Sequence, residues 1–289
     1  MDERDALARL ATLLPEAGDD AAVVDGLVVT TDMLHQSTDF PDGTTRYTAG
    51  WRAVGASLSD VAAMGGEAVA AVAVYAAPTF EFEEIEAFVT GAREICEQVG
   101  GAYVGGDLDS HEEFTVASTA IGRADEPVLR SGATPGDTVC VTGTLGRSAA
   151  GLHLFETGET DRANELFRFQ PRVAAGRVLA GRATAMMDSS DGLARSLHQL
   201  ADASDCGFAI ESPLPIDNSV DEIVESDDER QELGVFFGED FELVCTVQEA
   251  DLPDAKTAVG ADLTRIGTVI EDGVRMNGEP LPDRGFTHQ

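Results

Sequence analysis

Residues 47–76, YTAGWRAVGASLSDVAAMGGEAVAAVAVYA, contain the pattern that decides the fold. Val54, Leu58 and Val61 recur at the spacing of one helix face, which predicts a helix over 47–64. After a glycine pair, the apolar run 68–76 is typical of a buried strand. A helix that leads directly into a buried strand indicates a fold that mixes both elements, α/β or α+β.

The same alternation continues on both sides of this stretch. Strands are predicted over 27–31, 102–104 and 114–122, and a helix is predicted over 81–99, where it ends at a second glycine pair. The segment 125–137 is rich in turn-forming residues. It predicts a boundary between an N-terminal domain, residues 1–130, and a C-terminal domain, residues 131–289.

The second half repeats the mixture of elements. The pattern predicts strands over 138–142, 183–187, 207–211 and 241–247, and helices over 171–181 and 192–203. Asn277–Gly278 is typical of a hairpin turn. A short amphipathic helix is predicted over 3–14. Two α/β halves are therefore expected.

The charge of the chain is extreme. It has 53 acidic and 19 basic residues, a net charge of −34, and Lys256 is its only lysine. An excess of this size repels nucleic acid and anionic membranes, and it destabilises a compact state in dilute buffer. Salt at about 1 M shortens the Debye length to about 3 Å. The composition therefore predicts the cytoplasm of a halophile, such as a halophilic archaeon. An acidic protein that mimics a partner is the alternative.

Other classes of protein are disfavoured. No apolar run reaches the roughly 18 residues of a membrane span. The start, MDERDALARLATLLPE, lacks the pattern of a signal peptide, so a cytoplasmic location is expected. The cysteines form no C-x-x-C pair, and reduced thiols packed in the core are predicted at the following positions: Cys96, Cys140, Cys206 and Cys245.

A small set of aspartates stands apart from the general acidity. These residues have small or apolar neighbours and no arginine beside them in sequence: Asp19, Asp20, Asp32, Asp60, Asp107, Asp188 and Asp191. Carboxylates in such surroundings are expected to be partly buried. Because an unpaired buried charge is costly, these side chains are expected to bind cations. Oxygen ligands favour Mg²⁺ over zinc or copper, and Mg²⁺ usually accompanies bound phosphates.

Glycines supply a second signal. Gly105–Gly106 precedes Asp107 and could let the backbone approach a phosphate. The strand-to-helix loop at 143–148, GTLGRS, is not a P-loop, and a structural role is the better interpretation of its glycines. A triphosphate would then be bound by metal ions, by backbone N–H groups and by an arginine such as Arg130.

The motifs, taken in order, resemble the thiamine-monophosphate kinase family. They are GDDA at 18–21, TTDM at 30–33, LSDVAAMG at 58–65, GGD at 105–107, RSGATPGD at 130–137, VTGTLG at 141–146, DSSDGL at 188–193 and GEDFEL at 238–243. The resemblance covers nearly the whole chain. It implies the two-domain aminoimidazole ribonucleotide synthetase-like fold, in which the N-terminal halves form a dimer interface.

The resemblance also implies a reaction and its residues. It implies phosphorylation of thiamine monophosphate by ATP with several Mg²⁺ ions in a homodimer. Direct in-line transfer is our hypothesis for the mechanism, because the acceptor phosphate oxygen is already deprotonated and needs no general base. The implied metal ligands are Asp20, Thr30, Thr31, Asp32, Asp60, Asp107, Asp188 and Asp191, of which Asp60, Asp107 and Asp191 are the catalytic candidates. The implied ATP contacts are Gly106, Asp107, Arg130 and Ser190. Thiamine phosphate would contact Asp39, Glu239 and Phe286.

The sequence departs from the family pattern at two of these positions. Residues 38–40 are TDF where Asn-His-Phe is common, and the chain ends GFTHQ where Gly-Tyr-Asp-His-Phe is common. Two alternatives remain open: another ATP-using member of the superfamily, such as aminoimidazole ribonucleotide synthetase, and a non-catalytic acidic metal-binding protein.

Overall fold

A computed structural model describes residues 9–10, 13–14, 18–260 and 262–285. The helix predicted over 3–14 lies largely outside these residues, and Phe286 lies outside them. Two β-sheets are present, one on each side of the turn-rich segment 125–137. The assignment of residues 1–130 and 131–289 to separate domains stays a prediction.

The N-terminal half forms a five-stranded sheet with helices against one face. Its elements are β1 (Ala22–Val24), β2 (Leu27–His35), α1 (Gln36–Asp39), α2 (Arg46–Ala63), β3 (Glu67–Ala77), α3 (Phe82–Gln98), β4 (Ala102–Ser110) and β5 (Thr115–Arg123). The strand order is β1-β2-β5-β3-β4. Only β3 and β4 pair in parallel; the other neighbours are antiparallel.

The C-terminal half forms a seven-stranded sheet. Its elements are β6 (Thr138–Thr142), α4 (Arg147–Glu156), α5 (Thr160–Phe167), α6 (Val173–Leu179), β7 (Ala183–Asp188), α7 (Leu193–Ser204), β8 (Gly207–Ile210), a 3₁₀ turn (Val220–Glu222), α8 (Asp227–Phe236), β9 (Leu243–Val247), α9 (Leu252–Val259), β10 (Leu263–Ile270), β11 (Val274–Met276) and β12 (Glu279–Pro280). The strand order is β12-β11-β8-β10-β6-β9-β7.

Helix α2 is the central element of the fold. Thr45 caps its first turn, with the Thr45 side chain accepting a hydrogen bond from the Thr48 amide. Fifteen of its 18 residues are buried. Such complete burial follows from its position, because α2 packs against β2 and β5 on one side and against α6 and β7 of the other half. One hydrophobic core therefore contains residues from both halves.

Close packing of α2 on α3 depends on glycine. A Cβ atom on Gly50 would lie 2.1 Å from the carbonyl oxygen of Phe88. A Cβ atom on Gly91 of α3 would lie 2.0 Å from the carbonyl oxygen of Tyr47. The two helix backbones therefore approach each other more closely than any larger residue permits.

Among the described residues, none covers one face of the N-terminal sheet. Val29, Met33, Val72 and Val74 lie on it with 36–56% of their surfaces exposed, and we call it the apolar sheet face. The strand register places Met33, Val74 and Asp107 in one row across this face. Such a concentration of exposed apolar side chains is typical of an interaction surface.

Two further sequence predictions can be compared with the structure. The four cysteines are free and buried, as expected. Within the described ranges, no helix combines the length and the apolar character that crossing a bilayer requires.

Candidate active site

Three carboxylates from distant parts of the chain meet between the two halves. Asp20 precedes β1, Asp60 lies in the last turn of α2, and Asp188 ends β7. Each offers an oxygen, and these three oxygens lie within 4.8 Å of one another. We call these residues the carboxylate cluster. It forms because α2 brings its C-terminal turn to the point where the two sheets approach.

Strand β2 adds polar side chains to the cluster. Residues alternate between the faces of a strand, so Thr30 and Asp32 point toward α2 while Thr31 points to the apolar sheet face. The Thr30 hydroxyl donates to Asp60 over 2.5 Å, and the Ser57 hydroxyl donates to Asp32 over 2.9 Å. Thr31 donates instead to the carbonyl oxygen of Ser118 over 2.8 Å.

The electrostatics of the cluster are those of crowded, buried acids. Burial, followed by the charge of Asp32 and those of the other two cluster residues, raises the pKa of Asp60 well above its usual value. Burial and the charge of Asp20 raise the pKa of Asp188 to about 7. Both shifts show that the ionised forms lack sufficient positive charge nearby.

Arg130 supplies part of the missing charge. Its guanidinium donates to both carboxylate oxygens of Asp20, over 3.0 and 3.2 Å. Its backbone amide donates to the Asp19 carboxylate over 2.7 Å. Burial lowers the pKa of Arg130, but the charges of Asp20, Asp188 and Asp60 raise it more, so the net shift is upward. One guanidinium cannot balance the whole cluster.

The cluster fits a hard divalent cation. The buried Oδ2 atom of Asp188 has no hydrogen-bond partner within the described part of the chain. An unpaired buried oxygen of this kind costs free energy unless a cation binds it. All of the donors are oxygens, the ligand type that Mg²⁺ prefers.

A tight turn after β7 places the C-terminal site residues beside one another. The Glu239 amide donates to the carbonyl oxygen of Ser190 over 2.7 Å. A Cβ atom on Gly238 would lie 2.6 Å from that same oxygen, and one on Gly285 would lie 2.2 Å from the carbonyl oxygen of Asp191. Ser190, Asp191 and Glu239 are therefore neighbours, and the last described residue ends next to them.

Glu239 forms a buried ion pair with Arg52 of α2. Only 2% of the Arg52 side chain is exposed, against 19% of Glu239. Arg52 also donates to the carbonyl oxygen of Phe167 over 2.6 Å and lies 3.6 Å from the centre of the Phe167 ring. Burial lowers the pKa of Arg52, while the charges of Glu239, Asp240 and Asp39 oppose that change. Asp39, another predicted substrate contact, is thus one of the charges that act on Arg52.

Asp240 has a structural role that sequence reasoning missed. Its carboxylate accepts from the Gly146 amide over 2.5 Å and from the Ser148 amide over 2.9 Å, so it caps α4. Burial raises its pKa to about 7. Gly143 packs against the Arg172–Glu242 ion pair, where a Cβ atom would lie 2.1 Å from Glu242. The structural interpretation of the loop at 143–148 agrees with these contacts.

The predicted position of Asp107 must be corrected. The sequence placed it after a strand that ends at 104, but β4 runs through Gly105 and Gly106 to Ser110, so Asp107 lies within the strand. Within one chain it lies three strands from β2, about 14 Å at the usual strand spacing, and it points to the apolar sheet face. One chain therefore does not bring Asp107 to the carboxylate cluster. Gly106 is explained by strand packing, since its Cβ atom would lie 1.7 Å from the carbonyl oxygen of Ala73.

A cavity of about 610 Å³ opens beside Asp107. It lies between α3 and the edge strand β4, and Tyr75, Phe88, Val89 and Tyr103 form much of its wall. Gly105, Gly106 and Asp107 line its other side. The cavity is mostly apolar and ends at backbone and a carboxylate, which suits a flat organic base with a polar extension.

Comparison with known proteins first identifies the broad class to which this fold and site belong. Residues 18–124 match the family described as AIR synthase related protein, N-terminal domain. Residues 134–277 match the corresponding C-terminal domain family. HypE, a hydrogenase maturation protein solved in complex with ATP, shares the fold at a TM-score of 0.72 and 19% identity, over 91% of this chain and 88% of that chain. The predicted two-domain α/β fold is confirmed.

Closer matches define the family within this class. A thiamine-monophosphate kinase from Halobacterium salinarum is 60% identical over 291 residues, 100% of both chains, and one from Methanospirillum hungatei is 40% identical over 100% of this chain and 99% of that protein. A structure of AaThiL complexed with AMPPCP and TMP matches at a TM-score of 0.89 and 29% identity, over 100% of this chain and 97% of that chain. The chain belongs to the thiamine-monophosphate kinase family of enzymes.

The structure shows which of the predicted site residues lie close together. The structure brings Asp20, Thr30, Asp32, Asp60 and Asp188 to one place. Ser190, Asp191 and Glu239 lie beside it, since the Ser190 amide donates to the Asp188 carboxylate over 3.4 Å. Their roles as ligands or contacts stay predictions. Arg52 was missed, and its only sequence signal is a charge inside an otherwise small and apolar helical segment.

Proposed function

We propose that this enzyme transfers the γ-phosphoryl group of ATP to thiamine monophosphate and so produces thiamine diphosphate. Family membership supports this reaction. One relative, AaThiL, has been solved in complex with both AMPPCP and TMP. The carboxylate cluster is the observation on this chain that carries the proposal, because a kinase for two phosphorylated substrates needs bound divalent cations.

The cluster residues, with Thr30 and Asp32, would hold Mg²⁺ ions. Bound Mg²⁺ would neutralise the phosphates of both substrates, which otherwise repel each other. The chain itself contributes the guanidinium of Arg130, which is fixed beside Asp20 and remains charged throughout. The chain also excludes water, since the side chain of Asp20 is 1% exposed and Asp188 is equally buried.

Transfer would be direct. The acceptor is a phosphate oxygen that is deprotonated at neutral pH, so the reaction does not require a general base. The buried aspartates would be engaged by cations and hydrogen bonds, which makes them poor candidates for a phosphorylated intermediate. Enzyme quenched in acid after incubation with γ-labelled ATP should therefore carry no stable label.

We infer that the cavity beside β4 accepts the base of the nucleotide. Among the rings that line it, Tyr103 is only partly buried and suits stacking of a purine, and Gly106 and Asp107 lie where the phosphates would leave the cavity. This position is far from the cluster of the same chain. The nucleotide would therefore extend from the cavity of one chain toward the cluster of another.

We further infer that two chains pair through the apolar sheet face. Pairing would cover Val29, Met33, Val72 and Val74, which one chain leaves exposed. Asp107 lies in the same row as Met33 and Val74, so pairing would carry it across to the other chain. A homodimer with composite sites reconciles the predicted ligand role of Asp107 with its position.

The net charge of −34 supports a protein that works in concentrated salt. A cytoplasmic location stays part of the proposal.

One assay tests the proposed reaction. Purified enzyme is incubated with Mg²⁺, ATP and thiamine monophosphate in concentrated KCl, and thiamine diphosphate is quantified. Thiamine diphosphate should form, with one ATP consumed for each molecule of thiamine diphosphate. Unphosphorylated thiamine is the control acceptor, and Asp60→Asn is the control enzyme; neither should give thiamine diphosphate. Divalent cation binding without ATP consumption dependent on thiamine phosphate would favour a non-catalytic metal-binding protein instead.

A further inference from the structure

Arg52 is a fully buried cation whose position the carboxylate cluster does not explain. It lies about two turns before Asp60 on α2, on the side that faces segment 167–169. Burial of a guanidinium is costly unless its donors and its charge are satisfied. Here a carbonyl oxygen, a carboxylate and an aromatic face satisfy them together, through Phe167 and Glu239.

Glu239 is held in an unusual backbone conformation. Its φ is 62°, in the left-handed region that residues other than glycine rarely adopt. Contacts from several directions hold it: its amide donates to Ser190, its carbonyl oxygen accepts from the Ser148 hydroxyl over 2.6 Å, and its carboxylate accepts from Arg52. Strain that is held in place by several contacts is typical of functional sites.

The surroundings of Glu239 suit a cationic aromatic ligand. Phe169 and Phe241 stack with ring centres 4.0 Å apart, and both rings lie within 6 Å of the Arg52 guanidinium. Part of the Glu239 carboxylate remains exposed, and Asp39 is close enough for its charge to act on Arg52. Carboxylates beside aromatic rings favour an organic cation over a neutral or anionic molecule.

We propose that Arg52 is a positioning residue, which holds the Glu239 carboxylate for the cationic thiazolium ring of thiamine phosphate. The inference rests on the proposed function, since it names the group on the substrate that this carboxylate binds. Arg52 itself does not touch the substrate. It fixes the distance between Glu239 and α2, and α2 also carries Asp60 of the cluster. Arg52 thereby sets the distance between the substrate ring and the cluster.

Steady-state kinetics of Arg52→Gln, Arg52→Lys, Glu239→Gln and the double variant Arg52→Gln/Glu239→Gln test this role. Arg52→Gln should raise the KM for thiamine phosphate about tenfold or more and change the KM for ATP by less than about twofold. Arg52→Lys should fall between wild type and Arg52→Gln, because one ammonium cannot serve both Glu239 and Phe167. In the Glu239→Gln variant, the additional replacement of Arg52 should raise the KM for thiamine phosphate little further, because the two residues act together.

Arg46→Gln is the matched control. Arg46 lies on the same helix, pairs with Glu84 and packs over the Phe114 ring, yet it does not contact segment 238–241. Its KM values should equal those of wild type. If Arg52→Gln does not fold, as judged by circular dichroism, the comparison of Arg52→Lys with wild type decides alone.

The inference is overturned if the Arg52 variants keep the wild-type KM for thiamine phosphate, if they raise both KM values equally, or if the effects of the two residues are additive. Failure of the proposed function gives a different result, because wild-type enzyme would then produce no thiamine diphosphate.

Discussion

At the scale of single residues, the carboxylate cluster links protonation to metal binding. A carboxyl whose pKa is raised in the folded state binds a proton that the unfolded chain does not, in the window from about pH 4 to about pH 7. The metal-free protein therefore loses stability as pH rises through this window. Mg²⁺ binds the ionised carboxylates and should restore that stability at the alkaline end.

We predict that Mg²⁺ stabilises the protein more at about pH 8 than at about pH 5.5. At pH 8, saturating Mg²⁺ should raise the melting temperature by about 5 °C, the effect of a ligand present at a hundredfold excess over its Kd on a chain of this size. Differential scanning fluorimetry in constant high KCl measures both values. In Asp188→Asn, Mg²⁺ should raise the melting temperature equally at the two pH values. In Asp227→Asn, which lies in the exposed acidic α8, the larger effect of Mg²⁺ at pH 8 should remain. An equal Mg²⁺ effect at both pH values would contradict the role of the cluster.

Asp107→Asn should abolish most of the activity without unfolding the protein. The substitution keeps size and shape but removes a negative charge and a strong Mg²⁺ ligand. Loss of such stabilisation in a water-poor site costs about 3 kcal/mol, roughly a hundredfold in turnover. Thiamine diphosphate formation at saturating Mg²⁺ measures the effect, with Asp227→Asn as the surface control. Retention of more than about a tenth of the activity would show that Asp107 is not a ligand.

Residue patterns alone predicted burial of Asp60 and Asp188 well. Their neighbours are small or apolar, and beside Asp20 the structure buries Asp188 and partly buries Asp60. The patterns could not place Asp107, because its position depends on β4 being an edge strand of a sheet that leaves one face exposed. Arg52 was also missed, since its partners come from segments more than 100 positions away.

At the scale of elements, periodicity predicted most of the architecture. The helices predicted over 47–64 and 81–99 and the strand predicted over 68–76 are confirmed within one residue at each end. The hairpin at Asn277–Gly278 is also confirmed, with both residues at positive φ. The strand predicted over 102–104 was too short, because two glycines resemble a turn in sequence but here allow close strand pairing.

The contact of α2 with α3 gives a prediction at this scale. Gly50→Ala adds a Cβ atom that would lie 2.1 Å from the Phe88 carbonyl oxygen. Alanine favours the helix by about 1 kcal/mol, but separation of the two backbones should cost about 3 kcal/mol or more. The net loss of about 2 kcal/mol should lower the melting temperature of a chain of this size by about 3–4 °C.

Gly181→Ala is the control for this substitution. Its Cβ atom would have no neighbour within 4 Å, so its melting temperature should match that of wild type. Equal melting temperatures for Gly50→Ala and Gly181→Ala would show that α2 and α3 are not in close contact.

At the scale of the whole molecule, self-repulsion governs stability. A net charge of −34 on 289 residues is screened only at high ionic strength. We predict that the melting temperature rises by about 5 °C or more between about 0.1 M and about 2 M KCl. Thermal unfolding followed by circular dichroism provides the measurement. A flat or falling melting temperature would exclude the halophilic interpretation while leaving the kinase assignment intact.

The proposed composite site also belongs to the scale of the whole molecule, because sequence patterns within one chain cannot predict which residues a second copy would contribute. Within one chain, Asp107 and the cluster lie on opposite sides of the N-terminal sheet. In a dimer paired through the apolar sheet face, each site would combine the cluster of one chain with Asp107 of its partner.

Two inactive variants with different affinity tags test this assembly most directly. Asp60→Asn and Asp107→Asn chains are co-expressed, and the heterodimer is purified through both tags. One of its two sites then has every residue intact, so about half of the wild-type activity should return. The pair Asp60→Asn and Asp188→Asn is the control and should stay inactive, because both residues belong to the same cluster. A heterodimer of Asp60→Asn and Asp107→Asn without activity, or the absence of any dimer, would contradict the composite site.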